Sequence, residues 1–291
     1  MTAFEVKVHG KFIVAGEHAV LRGCPALVFP FFGKSLTLKF ETMNCPLEVV
    51  SPQEDQVQLV TSGLLDKALG QVEHSKDELR GRLVLDNSIP LGAGLGASAA
   101  LCVSISRFLV WKGWLNEERI YEFARELENL FHGESSGVDI AVALNEKPLI
   151  FERGGKRENF EAKWKPNWAL SYCGSRGLTA DAIVKVKALL EEDPAKGKEI
   201  DAMMSDSVWL AMRALSEPRE TGEPRLAHSM MKASQCFAAW GLTEGALGTR
   251  IDDLLARGAL AAKPTGSGAG GYILSLWPDK VPEGLDLLRI S

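Results

Sequence analysis

The chain carries, directly before an apolar helix-forming run, the segment Pro90-Leu91-Gly92-Ala93-Gly94-Leu95-Gly96-Ala97-Ser98-Ala99-Ala100. Glycines at alternate positions let a backbone turn its N–H groups inward and allow an anion to come close. The predicted helix, residues 99–111, adds unpaired N–H groups and the positive end of its dipole at the same point. The segment therefore predicts a phosphate-binding loop, in which the Ser98 hydroxyl can bind a phosphate oxygen or a magnesium ion.

Taken alone, this glycine loop is also compatible with a dinucleotide-binding protein. Gly92, Gly94 and Ala97 fit the pattern G-x-G-x-x-G/A, and an acidic residue follows after about 20 residues. In that class, however, the acid stands at the end of a second strand. Here Asn116-Glu117-Glu118 is typical of a helix start, with an N-cap and an acidic first turn.

Two other interpretations of glycine segments are weaker. Gly33-Lys34-Ser35 matches the end of a Walker A loop, but Val28 stands where its first glycine belongs. A helix-entry turn that binds nothing would not need three alternating glycines, because each costs conformational entropy on folding.

The composition is that of an ordinary globular protein. The chain has 291 residues, of which 46% are hydrophobic and 24% charged, and this length suits two domains. The formal net charge is −5, and no block of Lys or Arg stands out. This argues against nucleic acid or an anionic membrane surface as the main partner. Anion binding must then be local, made by backbone N–H groups and one or two lysines.

The cysteines and the apolar runs indicate the compartment. The five cysteines are widely spread and form no Cys-x-x-Cys pair, so neither a zinc site nor a disulfide framework is indicated. Thiols in a reducing cytoplasm are the simplest interpretation. No signal-peptide pattern and no apolar run of transmembrane length is present, which also favours a cytoplasmic protein.

Hydrophobic periodicity predicts a strand-rich first half and a helix-rich second half. In the first half we expect strands at 4–8, 11–15, 26–32, 35–40, 47–50, 56–60, 82–85 and 149–152, and helices at 62–69, 99–111 and 116–131. In the second half we expect strands at 168–173 and 272–277, and helices at 179–192, 197–216, 224–241 and 243–260. Residues 154–157 are the best linker candidate, and 217–224 reads as a loop. The chain thus predicts a mixed α/β domain with antiparallel pairing, followed by an α+β domain.

Three further segments give the chain a family resemblance. They are Lys11-Phe12-Ile13-Val14-Ala15-Gly16-Glu17-His18-Ala19-Val20, Phe131-His132-Gly133-Glu134-Ser135-Ser136-Gly137-Val138-Asp139 and Lys263-Pro264-Thr265-Gly266-Ser267-Gly268-Ala269-Gly270-Gly271. With the glycine loop, they resemble the motifs of the GHMP small-molecule kinases, and within these the mevalonate kinase family. Galactokinase-like members usually continue Gly-Glu-His toward an Asp-Tyr pair, which this sequence lacks.

The resemblance implies a fold and an activity. The fold is α+β, with a ribosomal-protein-S5-domain-2-like mixed α/β domain at 1–155 that binds nucleotide and metal. A ferredoxin-like α+β domain at 156–291 closes the substrate cleft. The implied activity is ATP- and Mg²⁺-dependent phosphorylation of the primary hydroxyl of mevalonate or a similar small hydroxy acid, and a homodimer is compatible with it. A phosphomevalonate or sugar kinase, and a non-catalytic ligand-sensing relative, remain as alternatives.

The resemblance also assigns roles to residues. Asp139 and Lys11 are implied as the catalytic pair, and Ser98 and Glu128 as metal ligands. Glu17 is implied as a substrate-binding residue, together with His18 and Thr179. His132 would stabilise the loop that presents Asp139. The ATP phosphates would lie on Gly92, Ala93, Gly94, Leu95, Gly96, Ala97 and Ser98. A third glycine loop, formed by Gly266, Ser267, Gly268, Ala269 and Gly270, would close over them or over the substrate.

Local patterns offer a plainer interpretation of several of these residues. Asp139 and Thr179 each stand where a helix N-cap is expected. Glu128 could be a solvated helical glutamate, and Lys11 a lysine at the end of a strand. If Lys11 were instead buried beside Asp139, its ammonium group would stabilise charge developing on a hydroxyl oxygen.

The sequence departs from the family pattern at four positions. Ala97 replaces the first of two serines after the glycine loop, and Ser135 replaces a common proline. Ser267 and Ala269 stand where the family most often has alanine and glycine. None of these changes removes a charged catalytic position, but they leave the exact substrate open.

Overall fold

The computed structural model describes residues 3–52, 55–177 and 179–290. Its strands are β1 Ala3–Ala15, β2 Ala26–Pro46, β3 Glu48–Val50, β4 Arg80–Asn87, β5 Leu149–Phe151, β6 Arg157–Asn159, β7 Asn167–Tyr172, β8 Ala261–Pro264, β9 Tyr272–Trp277 and β10 Leu288–Arg289. Its α-helices are α1 Asp55–Gln71, α2 Ala97–Trp111, α3 Ile120–His132, α4 Val138–Asn145, α5 Thr179–Glu192, α6 Pro194–Ser216, α7 Arg219–Ala239 and α8 Ala246–Ala256. Short 3-10 turns lie at Ala19–Arg22, Lys76–Glu78 and Glu117–Arg119.

The strands form two sheets. The first has the order β3-β4-β2-β5-β6, with β1 paired to β2, and all its pairs are antiparallel except β3 with β4. The second is antiparallel, in the order β10-β7-β9-β8. The expected α+β class, with antiparallel pairing in the first half, is confirmed. Residues 154–156 lie in the turn between β5 and β6 and Arg157 begins β6, so the first sheet continues to Asn159. The division of the chain at residue 155 stays a prediction.

Helix α2 is the centre of the first half. Most of its residues are buried, and it packs against β1, α3 and α4. A helix that is buried on most of its surface needs no continuous polar face, which explains the mainly apolar run after Ser98. The buried Ser104 and Ser106 within it donate to carbonyls one turn earlier. Its packing fixes the position of the glycine loop that precedes it. No helix among the described residues is long and apolar enough to cross a membrane.

Two secondary-structure predictions are wrong. Residues 56–60, expected as a strand, belong to α1, because buried Val57, Thr61, Leu64 and Ala68 follow a helical spacing. The loop expected at 217–224 is largely helix, since α7 begins at Arg219 and contains Pro224. Long antiparallel packing of α7 on α6 outweighs the backbone hydrogen bond that this proline cannot make.

The two glycine loops touch through their backbones. The Tyr272 N–H donates to the Ala93 carbonyl at 3.1 Å. A Cβ placed on Gly94 would lie 2.5 Å from the Thr265 carbonyl oxygen, and one on Gly266 would lie 2.7 Å from the Gly94 Cα. Side chains cannot fit between surfaces this close. The loop before α2 and the loop between β8 and β9 therefore form one packed unit.

This contact predicts different effects for two neighbouring glycines. Gly92 and Gly94 both have positive φ, but a Cβ on Gly92 would meet nothing within 4 Å. We expect Gly94→Ala to lower the free energy of unfolding by about 3 kcal/mol, because strain and overpacking add. Gly92→Ala should cost only about 1 kcal/mol from its φ angle. Urea unfolding of both variants is the measurement, and equal losses would contradict the close packing of the loops.

Candidate active site

A buried lysine and a carboxylate meet in the lining of a cleft. Lys11 Nζ lies 2.8 Å from Asp139 Oδ2, and the Lys11 side chain is 5% exposed. The Lys11 N–H donates to the Leu95 carbonyl at 3.0 Å. A Cβ on Gly96 would come within 2.9 Å of Lys11 Cγ, so the glycine loop lies directly on the lysine stem. The pair is thereby held against the start of α2.

Asp139 faces this lysine from the first turn of α4. The N-cap of that helix is Gly137, not Asp139, so the capping role suggested by local pattern falls to another residue. The Asp139 side chain is 22% exposed, which leaves its carboxylate accessible from the cleft. A group in this position can accept a hydrogen bond from a ligand while paired with Lys11.

Glu128 is a buried carboxylate on the same wall. It projects from α3, and the Ser135 hydroxyl donates a hydrogen bond to its Oε2. Burial, assisted by the negative charge of Asp139, raises the pKa of Glu128 to about 8, although the Ser135 hydrogen bond and Lys11 oppose the shift. Ser135, the residue found in place of the family's proline, thus directly supports Glu128. The interpretation of Glu128 as a solvated helical glutamate is wrong.

The glycine loop has the geometry expected for anion binding. Gly92, Gly94 and Gly96 all have positive φ, and Gly96 is the N-cap of α2. The first N–H groups of a helix have no acceptor within it and carry the positive end of its dipole. Ser98 lies in the first turn of α2 and lines the cleft. The wall beside this loop is apolar and formed by Leu36, Val57, Val60, Leu91 and Leu101.

A cleft of about 470 Å³ brings most of the predicted site residues together. Those that line it are Lys11, Glu17, His18, Gly92, Ala93, Gly94, Gly96, Ala97, Ser98, Glu128, Asp139, Thr179, Gly266 and Ser267. Four of the predicted residues lie outside this lining, namely Leu95, Gly268, Ala269 and Gly270. The Leu95 side chain lies in the core, and Gly268 packs against Phe237. The side chain of His132 lies outside the described part of the chain.

Glu17 lies at the cleft but is tied to a lysine that sequence reasoning missed. The Glu17 side chain is 2% exposed, and Lys263 Nζ, fully buried, lies 2.5 Å from its Oε1. The same Nζ donates to the Ile13 and Pro264 carbonyls. Burial raises the pKa of Glu17 and lowers that of Lys263, and each charge opposes the other's shift. The feature that could have revealed this ion pair is the position of Lys263 within the wholly buried strand β8, because an unpaired charge there would be costly.

His18 and Thr179 meet on the third glycine loop. His18 Nε2 lies 2.8 Å from the Ser267 carbonyl oxygen, and its ring packs edge-on against Phe237 and Trp240. Burial lowers the pKa of His18 to about 4, so its ring is neutral at neutral pH. Since a carbonyl only accepts, Nε2 carries the hydrogen and Nδ1 is an acceptor. Thr179 Oγ1 lies 3.2 Å from Ser267 Oγ.

Comparison with known proteins identifies the family. The family of GHMP kinases N terminal domains matches residues 61–147. A mevalonate kinase of Thermococcus gammatolerans is 30% identical over 308 residues, which cover 97% of this chain and 91% of that protein. The chain belongs to the mevalonate kinase family of GHMP kinases. A second mevalonate kinase, from Pyrococcus horikoshii, is 29% identical over 97% of this chain and 90% of its own length.

A solved structure agrees with this family assignment at the level of the fold. The structure of L. major mevalonate kinase in complex with R-mevalonate superposes with a TM-score of 0.79 at 21% identity, covering 99% of this chain and 95% of that chain. The GHMP kinase fold expected from the motifs is therefore confirmed.

The Glu17–Lys263 pair predicts a loss of stability when one partner is removed. Glu17→Ala leaves a buried ammonium without its counter-charge, and we expect the free energy of unfolding to fall by about 3–5 kcal/mol. The matched control is Glu5→Ala, which removes the exposed Glu5–Lys39 pair and should cost under about 1 kcal/mol. Chemical unfolding of the two variants measures the loss of unfolding free energy in each. Equal small losses would show that the buried pair contributes little to stability.

Proposed function

We propose that this protein transfers the γ-phosphoryl group of ATP to the primary hydroxyl of mevalonate, giving 5-phosphomevalonate and ADP. The observation that carries the proposal is the Lys11–Asp139 pair, held in the cleft against the glycine loop at the start of α2. Phosphoryl transfer needs the triphosphate held, its charge offset and the alcohol aligned. This arrangement offers a group for each task within one cavity.

The chain's own residues divide these tasks. The backbone N–H groups around Gly92–Ser98 would hold the phosphate oxygens, and the apolar wall formed by Leu36, Val57 and Val60 would take the adenine ring. Asp139 would accept a hydrogen bond from the substrate hydroxyl, orient it, and receive its proton as the new P–O bond forms. The Lys11 ammonium would stabilise the negative charge that develops on the attacking oxygen.

Ser98 and Glu128 fit a magnesium ion. Both line the cleft beside the phosphate loop, and both offer the hard oxygen ligands that Mg²⁺ prefers. Among the described residues, no group of three or more His, Cys, Asp or Glu side chains could enclose a metal. This suits an ion that takes one or two protein oxygens, with phosphate and water as its other ligands. When bound, Mg²⁺ would neutralise charge on the outer phosphates.

The charges of the cleft favour an unphosphorylated substrate. Among its described lining residues Lys11 is the sole Lys or Arg, and it is paired with Asp139. A substrate that already carries a phosphate would require additional cations. This observation supports mevalonate over phosphomevalonate. The retained Lys11, Glu128 and Asp139 also argue against a non-catalytic ligand-sensing relative.

The division of labour between the two parts of the chain is also a proposal. The phosphate loop and the metal ligands belong to residues 1–155, whereas Thr179 and Ser267 belong to 156–291. We assign nucleotide and metal binding to the first part and closure of the substrate cleft to the second. The homodimer stays a prediction. So does the cytoplasmic location, which the five unbridged cysteines support.

The proposed function is tested by ADP release with a panel of alcohols. The purified protein, ATP and MgCl₂ are combined with mevalonate, phosphomevalonate, galactose or homoserine. We expect turnover with mevalonate to exceed that with each other compound by at least about 100-fold in kcat/KM. Comparable or faster turnover of phosphomevalonate or of the sugar would assign the chain to another GHMP activity, and no turnover of any compound would favour the sensing relative.

Replacing Asp139 tests the assigned chemistry. Asp139→Asn keeps the shape of the side chain but removes its charge and its ability to take a proton, so kcat should fall by about 10²–10⁴-fold. Glu146→Gln, an exposed change at the end of the same helix, serves as the control and should leave kcat unchanged. Near-normal turnover of the Asp139 variant, measured on folded protein, would remove the residue from the mechanism.

The raised pKa of Glu128 predicts that the magnesium requirement depends on pH. Below about pH 8 a proton competes with the metal for the Glu128 carboxylate. The Mg²⁺ concentration that gives half-maximal rate should therefore decrease as the pH rises from 6 to 9. Glu128→Gln should raise that concentration and remove most of its pH dependence. A variant with the magnesium titration of the wild type would exclude Glu128 as a ligand.

A further inference from the structure

We propose that Ser267, the serine found where the family most often has alanine, is a substrate-binding residue of this chain. Its hydroxyl, together with that of Thr179, binds the carboxylate of the hydroxy acid. This inference rests on the proposed function, because it places the substrate's primary hydroxyl at Asp139. It concerns the opposite end of the same molecule.

The position of Ser267 is fixed by its backbone. Its carbonyl oxygen accepts the hydrogen bond of His18 Nε2 at 2.8 Å. On one side Gly266 packs on the backbone of Gly94, and on the other Gly268 packs on Phe237. The loop therefore cannot swing away without breaking contacts on both sides. Ser267 Oγ is presented to the cleft as a preorganised group, which lowers the entropic cost of binding.

The two hydroxyls form a hydrogen-bonded pair in which one of the two hydrogens remains available to donate. Ser267 Oγ and Thr179 Oγ1 lie 3.2 Å apart, and either can donate to the other. Each hydroxyl carries a single hydrogen. Once one is used within the pair, the second remains for an acceptor in the cleft, and both residues line that cleft. The pair thus suits a ligand group that only accepts hydrogen bonds, as a carboxylate does.

The charges of the cleft leave this task to neutral donors. Lys11 is the sole Lys or Arg among the described lining residues, and it is already paired with Asp139. His18 does not supply a second cation, because burial lowers the pKa of its ring, and its Nε2 hydrogen is already donated to the Ser267 carbonyl. A substrate carboxylate must therefore be bound mainly by hydroxyl and backbone N–H groups.

The topology brings the pair from a different part of the chain than the reacting groups. Lys11 and Asp139 come from β1 and α4 of the first half, whereas Thr179 begins α5 and Ser267 lies between β8 and β9. All four line one cavity. A short hydroxy acid with its hydroxyl at Asp139 extends toward the second half of the chain, where Ser267 and Thr179 meet its other end.

The test compares Ser267→Ala with the wild type. At saturating ATP, the variant should raise the KM for (R)-mevalonate by about 3- to 10-fold, the loss expected for one neutral hydrogen bond. Values of kcat and of the KM for ATP should change by less than about 2-fold. Ser216→Ala, which removes an exposed hydroxyl bonded to the Met212 carbonyl of its own helix, is the matched control. Calorimetric titration with (R)-mevalonate in the absence of ATP measures the same loss as a weaker Kd.

A second background separates a direct contact from an indirect one. In Thr179→Val, Ser267→Ala should still raise the KM for mevalonate by at least about 2-fold. If the effect disappears there, Ser267 acts only by holding Thr179, and the inference fails. It also fails if the effect falls on ATP or if the KM and Kd for mevalonate are unchanged.

The outcome for the proposed function is read separately. If the wild type binds mevalonate but does not phosphorylate it, the proposed function fails and the calorimetric comparison alone decides this inference. A wild type that neither binds nor phosphorylates mevalonate overturns both.

Discussion

The contact between the two glycine loops holds the site together. The Ala93 carbonyl accepts the Tyr272 N–H, and Gly94 lies against Thr265 and Gly266 with no room for a side chain. This contact joins the start of the central helix to the second sheet, and the cleft opens beside it. Lys11 lies under the first loop, and Ser267 lies in the second. The positions of the proposed phosphate-binding backbone and of the proposed substrate-binding hydroxyls thus depend on a single region of backbone packing.

Buried charge is concentrated around this contact. Lys11, Glu17, Glu128 and Lys263 are each almost fully buried, and an opposite charge or a hydrogen bond offsets part of the desolvation of each. The Glu17–Lys263 pair joins the segment after β1 to β8, so it reinforces the connection made by the loops. Lys11–Asp139 instead keeps one partner accessible from the cleft. The same kind of interaction therefore serves the fold in one place and a ligand in the other.

Much of this site could be predicted from sequence, because its signals are local. Alternating glycines before an apolar helix predicted the phosphate loop, and the segment around Asp139 predicted a carboxylate at a helix start. What could not be predicted were contacts between residues far apart in the chain. Glu17 and Lys263 are 246 residues apart, and nothing in the pattern around Glu17 indicates an ion pair rather than a substrate contact. The support that Ser135 gives to Glu128 was missed for a related reason, since it appears only when α3 and the following loop are folded.

Secondary-structure predictions were wrong where tertiary packing outweighed the conformational propensity of the individual residues. Residues 56–60 alternate like a strand, yet the buried face of α1 uses Val57 and Thr61 at helical spacing. Pro224 marks a loop by propensity, but α7 continues through it because its packing against α6 extends along both helices. In both segments tertiary contacts contribute more than single-residue propensities, which are worth up to about 1 kcal/mol for ordinary residues and about 3 kcal/mol for proline.

The two halves of the proposed nucleotide pocket are built from different groups, and this has a consequence for how the protein can change. The proposed anion-binding half is made of main-chain groups, and its Gly94 and Gly96 are too crowded to accept a side chain without disrupting the fold. The wall beside the glycine loop before α2 consists of exchangeable aliphatic side chains such as Leu36, Val57 and Val60. With the nucleotide bound as proposed, evolution or laboratory selection can change which base is accepted far more readily than how many phosphates are held.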